Sequence, residues 1–123
     1  MQTFFYASTN NGHRERLEAA IHAVIPGDSV EFFESLDDFR ERLHRMIDPN
    51  SIAVLLAVNR EELLRMQMLR KLLPEISVIL VLPDRAENTI ELAHALLPRF
   101  LIQKDDPFAD LQEVLYKMVR SSR

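Results

Sequence analysis

The residues able to do chemistry fall at the ends of apolar runs. Ser8-Thr9-Asn10-Asn11-Gly12-His13 follows TFFYA at 3–7, Asn59 follows IAVLLAV at 52–58, Pro83-Asp84 follows ISVILVL at 76–82, and Lys104-Asp105-Asp106 follows FLIQ at 100–103. In an open parallel α/β sheet, binding and catalysis sit just past the carboxyl ends of the strands, so these four loops make up the candidate site. The first loop is the most polar. Its free backbone N–H groups and the positive end of the following helix suit an anion, with Ser8, Thr9, Asn10, Asn11 and Gly12 as the binding loop. The same residues also suit a capped turn. Lys104 has two readings: a phosphate-binding ammonium in the apex, or a strand-end lysine paired with Asp84, Asp105 or Asp106. The four histidines, His13, His22, His44 and His94, are scattered over different helices without ligand spacing, so no metal site is read. Asp37-Asp38 and Asp105-Asp106 stand at helix starts, where carboxylates complement the helix dipole.

The elements that must position these loops follow from hydrophobic period. TFFYA is a short β-favouring run. Leu17, Ala20, Ile21, Val24 and Ile25 then recur at helical spacing until Pro26-Gly27. SVEFFE at 29–34 is a second strand whose charges suit a sheet edge. Leu36, Phe39, Leu43, Met46 and Ile47 form a second helical stripe, ended by Asp48-Pro49-Asn50. The runs at 52–58 and 76–82 lack alternation and read as strands buried on both faces. Between them, 61–73 is helical and closed by Pro74. Ile90, Leu92, Ala93, Leu96 and Leu97 mark a fourth helix. After FLIQ, Asp106-Pro107 reads as the cap and first residue of the last helix, with Leu111, Val114, Leu115 and Met118 as its buried stripe.

Five βα units with short connections imply parallel pairing and right-handed crossovers. Five strands are too few for a closed barrel, so helices must cover both faces of an open sheet. Placing the two most apolar strands centrally and the charged second strand at an edge gives the order 2-1-3-4-5. The expectation is one α/β domain over 1–123, a three-layer αβα sandwich of flavodoxin-like architecture.

Bulk composition narrows the function classes. The chain has 123 residues, 47% of them hydrophobic and 28% charged, which suits one ordinary globular domain with its own core. With no cysteine, disulfides, thiol catalysis and thiolate metal sites are excluded. Fifteen Lys and Arg against nineteen Asp and Glu give a net charge of −4, with no basic concentration that would mark direct nucleic-acid binding. No apolar run approaches the roughly 20 residues of a membrane helix, and no signal peptide is read. The expected location is cytoplasmic.

Two segments, ELLRMQMLRKLLPEISVILVL at 62–82 and RFLIQKDDPFADLQEVLYKMV at 99–119, resemble the receiver domains of bacterial two-component response regulators, and the likeness in element order covers nearly the whole chain. Receivers accept a phosphoryl group on an aspartate ending strand three. An acidic pair after strand one holds Mg²⁺, a Ser or Thr ends strand four, and a Lys ends strand five. The carboxylate is the nucleophile, the cation offsets phosphoryl charge, and the hydroxyl and ammonium bind the transferred oxygens.

Against that pattern, strand three carries no carboxylate and its first polar residue is Asn59. Ala7, Ser8 and Thr9 replace the acidic pair, and Leu82-Pro83 stands where the hydroxyl belongs. Lys104 alone matches, although Asp105 replaces the proline that usually follows. The resemblance therefore implies a pseudo-receiver with degenerate pocket positions Ser8, Thr9, Asn59, Leu82 and Lys104. It implies no catalysis, no cofactor, a lost Mg²⁺ site and a role through protein–protein contact. The alternatives are an atypical receiver phosphorylated on Asp84 or Asp105, and a small-molecule or phosphate sensor at Ser8–His13.

Helix three carries more apolar residues than one core face requires, which makes Met66 and Met68 candidates for a partner surface. By resemblance, the face of helices four and five, with Glu91, His94, Tyr116 and Arg120, would serve a homodimer or an effector domain. The chain runs out just past the last helix, which leaves open a free-standing protein or the N-terminal module of a longer regulator.

Overall fold

The computed structural model describes residues 2–8 and 12–121. Its strands are β1 (Thr3–Ala7), β2 (Val30–Phe33), β3 (Ile52–Leu56), β4 (Ser77–Leu82) and β5 (Phe100–Gln103). The helices are α1 (Gly12–His22), α2 (Leu36–Leu43), α3 (Arg60–Arg65), α4 (Glu87–His94) and α5 (Ala109–Ser121), with short 3₁₀ turns at Gly27–Ser29 and Met66–Leu72. All strand pairs are parallel and the order is β2-β1-β3-β4-β5. The α/β flavodoxin-like architecture expected from the sequence is the one found.

Strand alternation divides the core into two layers. Phe4, Tyr6, Ala53, Leu55, Val78 and Leu80 face one side and pack under α2, α3 and α4 through Phe39, Leu63, Met66, Leu69 and Ala93. Phe5, Ala7, Val54, Leu56, Ile79, Val81 and Ile102 face the other and meet Leu17 and Ile21 of α1 and Leu111 and Leu115 of α5. A strand that contributes to both layers has no polar position to spare, which is why β3 and β4 read as continuous apolar runs. Each buried Val, Leu, Ile or Phe side chain in these layers contributes about 1.5–3 kcal/mol relative to exposure.

The charged second strand lies at the edge, as its composition requires. Glu31 projects from β2 and accepts a two-pronged contact from Arg42 of α2, with Nε to Oε1 at 3.0 Å and Nη2 to Oε2 at 3.2 Å. Arg42 is buried, and its guanidinium lies 5.1 Å from the Phe4 ring centre. The planar fork satisfies the carboxylate while its flat face covers an aromatic ring.

Several boundaries differ from the sequence expectation for identifiable reasons. The third helix is α only to Arg65 and continues as 3₁₀. Gln67 Nε2 donates to the Leu63 carbonyl (3.2 Å), the acceptor an α-helix would assign to the Gln67 backbone N–H, and to the Leu92 carbonyl of α4 (3.0 Å). Three residues per turn then stack Met66, Leu69 and Leu72 toward the core. Met66 is fully buried and therefore forms no partner surface. Met46 lies beyond α2 and is 90% exposed, so it does not extend that helix's buried stripe. Leu97 falls outside α4, 75% exposed and at φ 53°. Asp106 does not cap α5, which begins at Ala109; its carboxylate accepts from Gln103 N–H (3.1 Å) and from Arg85 (2.8 Å).

Candidate functional site

At the carboxyl end of β3 the chain runs Ala57-Val58-Asn59 into α3. Asn59 has extended backbone angles and its Oδ1 accepts the Glu62 N–H at 2.7 Å, an ordinary N-cap. Capping places Glu62 on the first turn, where its side chain folds back under the apex and is only 5% exposed. Its Oε2 accepts from the Tyr6 hydroxyl at 3.2 Å and the Ser8 hydroxyl at 2.5 Å, and its Oε1 from the Val58 N–H at 3.3 Å. A carboxylate thus occupies the apex after all. It comes from a helix rather than a strand, and three donors already take up its two oxygens.

The electrostatic consequence is read at Tyr6. Burial, and then the neighbouring Glu62 carboxylate, push the Tyr6 phenol up to about 12. Removing its proton would create a second anion against the first in a desolvated layer, so Tyr6 remains a donor. Glu62 takes part in no ion pair among the described residues, and no group of three or more metal-ligating side chains occurs among them.

A second cluster sits past β4. Asp84 accepts the Ala86 N–H at 2.9 Å, and its carboxyl lies below the ordinary range. The Thr89 hydroxyl is the main cause and the Ala86 N–H the next, with smaller pulls from the cations of Arg60 and Lys104. Thr89 is fully buried in the first turn of α4, and its Oγ1 accepts from Arg60 Nε at 3.3 Å. The Thr89 hydroxyl, the Arg60 guanidinium and the Asp84 carboxylate therefore gather here, with the Lys104 cation pulling more weakly on Asp84.

The expected site residues separate accordingly. Leu82 is buried at the end of β4. Lys104 lies in the turn after β5, its N–H donating to the Leu82 carbonyl at 3.0 Å, and its ammonium makes no ion pair with Asp84, Asp105 or Asp106. Ser8 is committed to Glu62. Thr9, Asn10 and Asn11 of the anion-loop reading lie outside the described residues. Glu91, His94, Tyr116 and Arg120 are exposed on α4 and α5, with the Arg120 guanidinium 5.5 Å from the Tyr116 ring centre. Met68 is 43% exposed. Glu62 was missed by sequence reasoning, yet Asn59-x-x-Glu62 at a strand-to-helix junction is the spacing of a capping box, which places an acidic side chain back at the strand end. A cavity of about 310 Å³ bordered by Asn50, Glu75, Ser77 and Arg99 opens at the other end of the sheet, away from these groups.

No family model matches the chain, and no curated protein matches it. Two solved structures do. One is a protein provisionally related to pilus assembly from Burkholderia pseudomallei K96243, with a TM-score of 0.69, 17% identity, and coverage of 98% of this chain and 90% of that one. The other is a protein provisionally assigned to pilus assembly (CpaE) from Burkholderia thailandensis E264, with a TM-score of 0.66, 17% identity, and coverage of 98% and 99%. At that identity the likeness is one of fold, and the fold shared over nearly the whole length is the receiver-like five-stranded α/β sandwich.

Proposed function

We propose that this chain is a receiver-like signal-transduction domain that acts through protein–protein contacts and is not phosphorylated on aspartate. The observation that carries the reading is the apex itself. Strand β3 ends at Leu56 and is followed by Ala57, both buried and apolar, and the Glu62 carboxylate at this end of the strand is sequestered by Tyr6, Ser8 and the Val58 amide. A phosphoacceptor needs a free carboxylate oxygen beside a bound cation; both Glu62 oxygens already accept from donors, and no group of three or more metal-ligating side chains occurs among the described residues. On this reading the chain is a non-catalytic regulatory module, and the fold neighbours' provisional connection with pilus assembly supports such machinery as its setting. It needs no cofactor.

Incubation with acetyl phosphate and Mg²⁺ followed by intact-mass measurement tests this. Unchanged mass is expected, whereas a stoichiometric phosphoryl adduct overturns it.

A second reading rests on Asp84, which is held anionic beside the Thr89 hydroxyl and within the field of Lys104. In that case a carboxylate oxygen of Asp84 attacks phosphorus and acetate leaves. The same experiment separates the two readings, because an adduct abolished by Asp84→Asn selects the second. An adduct that survives it and is lost in Asp105→Asn would assign the acceptor to Asp105.

A further inference from the structure

The 3₁₀ segment that follows α3 has a consequence for the surface. Stacking at three residues per turn sends Met66, Leu69 and Leu72 inward and leaves two outward rows, Leu64-Gln67-Arg70 and Arg65-Met68-Lys71. Gln67 is held against α4 through the Leu92 carbonyl, so the exposed ridge consists of Leu64 (57% exposed), Met68 (43% exposed), Arg65, Arg70 and Lys71. None of these three cations joins an ion pair among the described residues. The chain as a whole has a net charge of −4. Its ridge is thus a local positive surface around two exposed apolar side chains.

We propose that this ridge is a docking surface for an acidic amphipathic helix of a partner protein. The apolar side chains of the partner would pack on Leu64 and Met68, and its carboxylates would meet Arg65, Arg70 and Lys71. The proposal rests on the protein-contact reading above and gives it a place and a chemistry.

Three features favour this occupant. Arg and Met are enriched at interfaces, and a flexible thioether adapts to the side chain it meets. Unpaired cations around an apolar centre select a complementary negative partner and speed its encounter. Finally, the patch is narrow: α4 packs beside α3 and presents Glu87 and Glu91 to solvent, which suits a single helix laid along the ridge and disfavours a broad anionic membrane plane.

The test uses the whole chain and a synthetic peptide of about 18 residues, long enough to form a helix, with leucines at helical spacing and glutamates elsewhere. Amide shift changes clustered on 64–71 are expected, together with affinity that weakens as salt is raised. Arg65→Glu with Lys71→Glu, and separately Leu64→Ser with Met68→Ser, should each weaken binding by about tenfold or more while leaving the thermal melt in place, since these side chains are exposed. A lysine-for-glutamate peptide should not bind. Absence of binding, equal binding of the lysine peptide, or preferential capture by phosphatidylserine vesicles overturns the proposal. Shifts confined to α4 and α5 overturn this surface but leave the protein-contact reading standing, and a phosphoryl adduct does the reverse.

Discussion

The Tyr6 hydroxyl donates to the Glu62 carboxylate across 3.2 Å, linking β1 to α3 over 56 positions of sequence. Because Ser8 and the Val58 amide share the same carboxylate, one side chain ties the ends of β1 and β3 to the helix that follows β3. In a phosphorylatable apex these strand ends would be held by a cation and a phosphoryl group. Here they are held from within.

Removing that acceptor should cost more than weakening it. Glu62→Ala leaves a buried hydroxyl and an amide without a partner, and should destabilise the fold by about 2–3 kcal/mol. Glu62→Gln keeps one acceptor oxygen and should cost about 1 kcal/mol, as should Tyr6→Phe. Urea melts of the three variants check the order, and an alanine variant no weaker than the glutamine one would contradict it.

Alkaline stability should carry the mark of Tyr6. Its folded-state pKa, about 12, lies above the ordinary phenol value of 10.0, so between these values the unfolded chain has lost the proton that the folded chain keeps. The unfolded state then binds fewer protons, and stability falls as pH rises. The contribution is complete below pH 10 and lost as pH climbs toward 12. Melting temperatures across that window should decline more steeply in the native chain than in Tyr6→Phe.

Asp84 should respond in the opposite direction. Its folded pKa is depressed, chiefly by the Thr89 hydroxyl, so its contribution is present above the ordinary carboxylate range and lost as pH falls through the folded value. Thr89→Val removes the hydroxyl at nearly constant volume. The Asp84 carboxyl should then titrate at higher pH by side-chain NMR; an unchanged midpoint would assign the shift to the Ala86 amide and the cations instead.

Much of the fold was legible because its determinants are local and redundant. The apolar runs IAVLL and SVILVL point to central strands, the charges in and beside VEFF suit an edge, and the order follows. The failures share one cause, a partner far away in sequence. Met66 reads as surplus apolar surface until Gln67 reaches Leu92 and turns the segment inward. Asp106 reads as a helix cap until Arg85 claims it. Glu62 draws no notice until Tyr6 and Ser8 supply donors. That β3 carries no carboxylate was visible in the sequence, whereas the place of the Glu62 carboxylate at the end of that strand required the fold.

Leu97 offers a test of local strain. Pro98 disfavours the right-handed helical conformation at the residue before it, and Leu97 ends the helix with φ 53° while its N–H still donates to the His94 carbonyl at 3.0 Å. A left-handed leucine costs about 1 kcal/mol or more. Since the side chain is exposed, Leu97→Gly should raise stability by about 0.5–1 kcal/mol, and Leu97→Ile, branched at Cβ, should lower it. Thermal melts distinguish the signs.

The central claim is that the apex is closed by Glu62 and takes neither cation nor phosphoryl group. The most direct measurement follows the amide resonances of Ser8, Val58 and Lys104 while Mg²⁺ and then acetyl phosphate are added. Unchanged positions through millimolar Mg²⁺, with no new set of peaks after acetyl phosphate, are expected. A saturable Mg²⁺ shift at Ser8 and Val58, followed by a second set of peaks, would contradict the claim.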